Sequence, residues 1–224
     1  MSVSSKGLPL AATNRTVRSQ RTWARIAGLM YWMVLLVDLT GMQIHSATLS
    51  RSLMLSGSIL TVPLALGLYY ALRPVQNLLA ASALGFRLLE AALGLIATVT
   101  GFAGVRAELA PSSFGNAALD LAHWNDATAF GAFVFTIGST IFFYLFVKSC
   151  YIPRVLAGWG LFASVVALAA CLMHLSHPSF PAMTMYAWLP MLLAETSTGL
   201  WLLIKSVRVV DRVPPERSTT TNGN

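Results

Sequence analysis

The sequence predicts an all-α membrane protein, a polytopic bundle of six transmembrane helices with both termini in the cytoplasm. The 224 residues are 56% hydrophobic and only 10% charged, whereas a soluble domain carries about 25% charged residues to keep its surface wetted. Six apolar stretches reach the length of roughly 20 residues that crosses a bilayer. Lys and Arg are concentrated in alternate connections between those stretches. This composition excludes a soluble enzyme, a disulfide-stapled secreted module and a disordered chain.

The predicted transmembrane domain covers residues 24–207, between a basic arm (1–23) and a polar tail (208–224) with the composition of disorder. The apolar stretches are continuous and do not alternate as membrane β-strands do, so helices are expected. The first is expected to be retained, because no good small-x-small cleavage pattern follows its apolar core. The predicted spans are 24–44, 53–72, 75–103, 127–147, 155–175 and 185–205.

The basic residues predict the orientation of the spans. Twelve Lys and Arg lie in the two termini and in the connections after spans two and four, against two in the remaining connections. Because positively charged connections stay in the cytoplasm, both termini are predicted to lie there. The net charge of +7 is explained by this distribution. It does not indicate nucleic acid as a partner, since the cations flank apolar spans and do not form a stripe on one face. The expected partner is the lipid bilayer.

Four groups of residues occur in a recognisable order and spacing. They are RIAGL at 25–29, FRLLEA at 86–91, YLFVKS and IPRVLAGWG within 144–160, and LAE leading to GLWLL within 193–203. Together they resemble a bacterial family of multi-span membrane proteins, domain of unknown function 4386, over about residues 20–207. The resemblance implies a helical protein of a bacterial inner (plasma) membrane, and it implies no activity, substrate or cofactor.

Four ionisable residues lie deep inside the predicted spans: Asp38, Arg87, Glu90 and Glu195. A charged side chain at the centre of a membrane helix costs about 2.5–3.5 kcal/mol, so such residues usually face the bundle interior and have partners. Arg87 and Glu90 are three positions apart on one helix face and can pair. A buried ion pair that fixes helix register is one interpretation. Whether Arg87 pairs with Glu90 or reaches across to Glu195 stays open in the sequence.

Charge counting gives a functional hypothesis for these four residues. Three acids face one cation, so at least one acid is expected to be protonated or to hold a bound cation in the low-dielectric interior. A carboxyl group that exchanges its proton is what a proton-linked carrier uses. Glu195 is the favoured group because it has no cation within four residues. The favoured prediction is therefore a small proton-linked transport or carrier component with a central Arg/Glu site, Asp38 leading outward from it.

The predicted topology places all four histidines on the outer side, and this suggests a second hypothesis. His45 is expected to end the first helix, two turns from Asp38 on the same face. Histidines on a water-facing rim can bind zinc, copper or haem, or act as a general base. The alternative prediction is thus a metal- or haem-binding membrane enzyme or redox protein. The candidate ligands are His45, His123, His174 and His177.

A third hypothesis is structural. The polar residues would only hold helices together in a membrane subunit that forms a homo-oligomer or binds a membrane partner. The sequence contains no phosphate-binding GxxxxGK[ST] or GxGxxG loop, no CxxC pair and no GxSxG nucleophile motif. Soluble-type nucleotide and hydrolase chemistry therefore lack support, and a non-enzymatic role is favoured.

Overall fold

A computed structural model of the chain describes residues 8–108, 125–177 and 181–208. These residues form six helices and no strand, so the predicted all-helical architecture is confirmed. Five helices contain a stretch long and apolar enough to cross a membrane, which indicates a multi-pass membrane protein. In the sixth, the apolar part described is the shorter Trp188–Ile204. The helices are α1 (Leu8–Gln43), α2 (Ala47–Leu72), α3 (Asn77–Glu108), α4 (Asn125–Ser149), α5 (Arg154–Ser176) and α6 (Pro181–Ile204).

The helix ends differ from the predicted spans where polar residues continue a helix. α1 begins at Leu8 and so includes much of the basic arm. α2 begins at Ala47, before the predicted start at residue 53, because hydroxyl groups there bond to backbone carbonyls. The Ser50 hydroxyl, for example, donates to the Gly41 carbonyl at 2.7 Å. α1 also ends at Gln43, which leaves His45 in the connection to α2. The expectation that His45 lies on the helix face of Asp38 is therefore wrong.

The six helices form a closed ring in sequence order. Each helix packs against its neighbours along the chain, and α6 packs against α1 to close the ring. Successive helices run in opposite directions. We call the end of the ring at which α1, α3 and α5 begin the arm end, and the opposite end, at which those helices finish, the histidine end. His45, His174 and His177 lie at the histidine end.

Glycine permits the contact that closes the ring. A Cβ atom at Gly28 of α1 would lie 2.5 Å from the Leu203 backbone nitrogen and 2.7 Å from the Gly199 carbonyl oxygen of α6. Only a residue without a side chain lets the two backbones approach this closely, as small residues do in membrane helix packing. Gly199 in turn accommodates the Cβ of Tyr31. The α1–α6 seam therefore depends on two small residues.

The apolar core fills the arm-end half of the ring. Large side chains of α2 and α4 are fully buried there, including Leu68, Leu72, Phe142 and Phe146. Hydrogen bonds between elements fasten the same end. They include Gln20 Nε2 to the Ala71 carbonyl (2.6 Å), the Ser206 hydroxyl to the Arg21 carbonyl (2.9 Å), the Arg208 N–H to the Tyr151 carbonyl (2.9 Å), and Lys148 Nζ to Gln76 Oε1 (2.8 Å).

Substituting Gly28→Ala should destabilise the ring, because the new methyl group meets backbone atoms that cannot move aside. Overpacking of this kind costs about 1–3 kcal/mol, and we expect a lower thermal unfolding midpoint of the purified protein in detergent. Gly158→Ala is the matched control, since a Cβ there has no neighbouring atom within 4 Å. A midpoint for Gly28→Ala equal to that of Gly158→Ala would show that the α1–α6 seam is not close-packed.

Candidate functional site

A cavity of about 450 Å³ lies inside the ring. Among the described residues, side chains of α1, α2, α3, α4 and α6 line it, and α5 contributes none. Along α1 the lining extends from Tyr31 to Met42, one residue before the helix ends, so the cavity reaches the histidine end. At the arm end the packed core closes the ring. The volume is within the range of about 300–1,000 Å³ that small-molecule sites occupy.

All four ionisable residues predicted from the sequence line this one cavity. Asp38 comes from α1, Arg87 and Glu90 from α3, and Glu195 from α6. Most of the remaining wall is apolar, which is typical of a small-molecule site with a few placed polar groups. The fold therefore gathers into one place charges that are far apart in the sequence.

Arg87 is held in position by three contacts. Its side chain is buried, and Nη1 lies 3.0 Å from Glu90 Oε2 on the next turn of α3. The guanidinium carbon lies 4.6 Å from the centre of the Phe135 ring, a cation–π distance. Gly138 of α4 leaves room for the aliphatic stem, since a Cβ there would come within 3.3 Å of it. The structure thus pairs Arg87 with Glu90, which the sequence left open.

Several polar atoms of the charged residues that line the cavity have no hydrogen-bond partner. Arg87 Nε and Nη1 are both buried without one, and the short contact from Nη1 to Glu90 Oε2 is not a well-directed hydrogen bond. Glu195 Oε1 is also buried without a partner. Leaving a buried donor or acceptor unpaired costs about 1–3 kcal/mol, and more for a charged group. The cavity therefore offers hydrogen-bond donors and acceptors to a bound molecule, and Glu195 Oε1 offers an acceptor to a proton.

The two other acids are placed differently from Glu90. Within the described part of the chain, no Lys, Arg or His nitrogen lies within 4.0 Å of a carboxylate oxygen of Glu195 or Asp38. Asp38 lies against Gly57 of α2, and a Cβ at that position would overlap its carboxylate. Gly57 therefore makes space for an acid between two helices. This contact depends on how α1 and α2 align, so no local pattern in the sequence indicates it.

Aromatic residues that sequence analysis did not assign to a site also line the cavity. Tyr31, Phe135 and Trp188 come from three helices, and the ring centres of Phe135 and Trp188 are 5.6 Å apart. An aromatic residue inside a membrane span usually packs against other helices or lipid, so the sequence carries no signal for this role. Only the tertiary arrangement brings the three rings around one space.

The described histidines are at the histidine end but outside the cavity lining. His45 and His177 are exposed, whereas His174, in the last turn of α5, has a buried Nδ1 without a hydrogen-bond partner. His123 lies outside the described residues. In the described ranges, no three His, Cys, Asp or Glu side chains are arranged to hold a metal ion. A metal or haem site that includes His123 stays a prediction from the sequence.

A family model described as Domain of unknown function (DUF4386) matches residues 41–206, which is more than half of the chain. The chain belongs to this family. The resemblance drawn from the sequence is thereby confirmed, although the match begins at Gly41 and leaves out the segment RIAGL at 25–29. Comparison with curated proteins and with solved structures gives no match. The match to DUF4386 includes Arg87, Glu90 and Glu195, whereas Asp38 lies before its first residue.

Replacing Arg87 by Met should destabilise the protein strongly, because Glu90 then loses the cation beside it. Breaking a buried ion pair by removing one partner costs about 3–5 kcal/mol. The double variant Arg87→Met/Glu90→Gln should recover part of that loss, since it removes both charges. Thermal unfolding of purified protein in detergent measures both effects. The exposed Arg73→Met is the control, and an effect of Arg87→Met no larger than this control would contradict the assigned pair.

Proposed function

We propose that this DUF4386 protein is a small proton-linked carrier of a bacterial inner membrane. In this proposal the ring crosses the bilayer six times with both termini in the cytoplasm. The excess of Lys and Arg on the connections of the arm end supports that orientation. The 24 residues of α6 span about 36 Å as a helix, enough to cross ~30 Å of hydrocarbon. The cavity then opens to the outside, and the packed arm end faces the cytoplasm.

The observation that carries the proposal is the shared cavity of the four charged residues. A bundle that serves only as a structural subunit gains nothing from an interior space of about 450 Å³, because protein interiors are normally packed with few voids. Charged side chains inside membrane spans are costly to bury, and those that face a bundle interior or a water-filled cavity mark substrate and proton pathways. Here they line a space large enough for a small solute.

The proposal assigns different roles to the charged residues. Arg87 is a fixed cation that Glu90 and the Phe135 ring hold in place. Glu195 exchanges a proton, because its Oε1 is buried without a hydrogen-bond partner. Asp38 lies farther along the lining toward the histidine end and connects Glu195 to the outside. Proton binding and solute binding then occur in one cavity, which is the condition for coupling them.

Movement of a solute to the cytoplasm requires the arm end to open in turn. Helix ends that separate there must exchange the hydrogen bonds that fasten them, such as Gln20 to Ala71 and Ser206 to Arg21. Each of these bonds contributes about 0.5–1.5 kcal/mol net. Carriers of this kind rock one group of helices against another around a fixed site. In this proposal, a cavity that opens only toward the histidine end belongs to the outward-open state of such a cycle.

Glu195→Gln should abolish proton movement coupled to solute transport, because an amide cannot release a proton. Proteoliposomes with a pH-sensitive dye inside would be exposed to a panel of organic amines, carboxylates and neutral solutes. We expect at least one class to move protons with the unaltered protein, and about a tenfold or greater loss with Glu195→Gln.

Ser197→Ala is the matched control, since this residue is two positions away on the same helix and is exposed on its outer face. It should transport as the unaltered protein does. The carrier proposal fails if no class of solute moves protons. It also fails if Glu195→Gln behaves as Ser197→Ala does.

A further inference from the structure

We infer that the cavity binds an organic cation with an apolar body, in competition with protons. This inference rests on the proposed carrier function for its physiological meaning, and it names the substrate class of that site. Its own evidence is the charge balance of the cavity, the chemistry of its walls and its volume.

The charge balance is negative. One guanidinium faces three carboxyl groups in the lining, and Glu90 already lies 3.0 Å from that guanidinium. Asp38 and Glu195 remain without an ion-pair partner within 4.0 Å in the described part of the chain. The described lining contains no Lys and no Arg other than Arg87. Because uncompensated charge is costly at low dielectric, the two acids require protons or a cationic ligand.

Titratable side chains of two other helices share the cavity with Glu195. Tyr31 and Asp38 line the cavity from α1, and Arg87 and Glu90 line it from α3. In the described lining, α2 and α4 present no titratable side chain, and α5 does not reach the cavity. Arg87 is only 2% exposed, and its Nε is buried without a hydrogen-bond partner. The site is therefore a charged cavity inside the ring that opens toward the histidine end, and not a cluster of acids on a surface.

The walls select an organic cation over a metal ion. Among the residues that the structure describes, no three His, Cys, Asp or Glu side chains are placed close enough together to hold a metal ion, and a metal ion would leave most of the cavity unfilled. The rings of Tyr31, Phe135 and Trp188 line the space. Phe135 already contacts the Arg87 guanidinium, and the rings of Tyr31 and Trp188 can attract ammonium and related cations. Apolar substituents on the cation would be buried against the leucine and methionine side chains of the same wall.

The positive charge of Arg87 suggests an anion as the alternative ligand of the cavity. Arg87 Nε and Nη1 have no hydrogen-bond partner, and their N–H groups would donate to a bound anion. However, an anion beside Arg87 would also lie beside Glu90, with Glu195 and Asp38 lining the same cavity. Like charges at that proximity repel strongly in a low-dielectric site. An anion would therefore bind only after several acids had taken up protons, whereas a cation is favoured by the charge already present.

Competition with protons follows from the shared carboxyl groups. When a monovalent cation binds, a protonated acid in the cavity releases its proton to water, and the carboxylate neutralises the ligand. No other bond forms or breaks, and the charge of the cavity is unchanged. Cation binding should therefore strengthen as the pH rises and should release protons into a weakly buffered solution.

Two probes of nearly the same size and shape test the sign of the ligand charge. Equilibrium binding of tetraphenylphosphonium and tetraphenylborate would be measured on the full chain purified in detergent, at mildly acidic and mildly alkaline pH. We expect saturable binding of tetraphenylphosphonium that is stronger at alkaline pH and accompanied by proton release. Glu195→Gln should weaken this binding by about tenfold or more, Ser197→Ala should not change it, and tetraphenylborate should show no saturable binding.

Thermal unfolding in detergent checks that each variant is folded, and proton release by the unaltered protein tests the inference without any variant. Binding of tetraphenylborate equal to or stronger than that of tetraphenylphosphonium would overturn the inference. So would cation binding that is independent of both pH and Glu195.

Failure of the inference is distinguishable from failure of the proposed function. Specific cation binding without proton movement in proteoliposomes would support a cation-binding site and overturn the carrier proposal. Proton movement driven by carboxylates or neutral solutes, without binding of tetraphenylphosphonium, would leave the carrier proposal standing and overturn the assignment of an organic cation.

Discussion

The cost of placing the charge of Arg87 in a low-dielectric interior constrains the rest of the structure. A guanidinium that cannot be deprotonated must have partners within reach, because lipid offers none. Glu90 supplies an opposite charge from the same helix, and Phe135 supplies a ring face from the next one. The face of α3 that carries Arg87 and Glu90 must therefore point into the ring, and α4 must lie close to that face. Gly138 permits that approach. The remaining acids are arranged around a charge that the bundle already has to accommodate.

The ring is asymmetric along its axis, and this asymmetry connects the fold to the proposed chemistry. At the arm end, large apolar side chains and hydrogen bonds between elements close the interior. Toward the histidine end, small residues such as Gly57, Gly94 and Gly131 face the interior, and a cavity remains. The close α1–α6 contact at Gly28 holds the ring together without filling that space. A site accessible from one end at a time is the basic requirement of a carrier.

The sequence was sufficient for the features that depend on local pattern. Apolar length predicted the helices, and the spacing of three positions predicted that Arg87 and Glu90 can pair. The start of α2 was missed because its serine hydroxyl groups bond to backbone carbonyls. Such bonds satisfy polar side chains within a helix, but a hydropathy value counts these side chains only as polar. The cavity, the Asp38–Gly57 contact and the aromatic walls depend on how distant helices align. No pattern within one helix specifies that alignment.

The most direct test of a water-accessible charged cavity is cysteine labelling at two positions of α1. Val34 lines the cavity, whereas Leu36 is 58% exposed on the outer surface of the ring. In a Cys150→Ser/Cys171→Ser background, a membrane-impermeant charged thiol reagent would be added to intact cells. The account predicts rapid labelling of Val34→Cys and none of Leu36→Cys, which faces lipid. Equal labelling of the two variants, or labelling of Val34→Cys only from the cytoplasmic side, would contradict it.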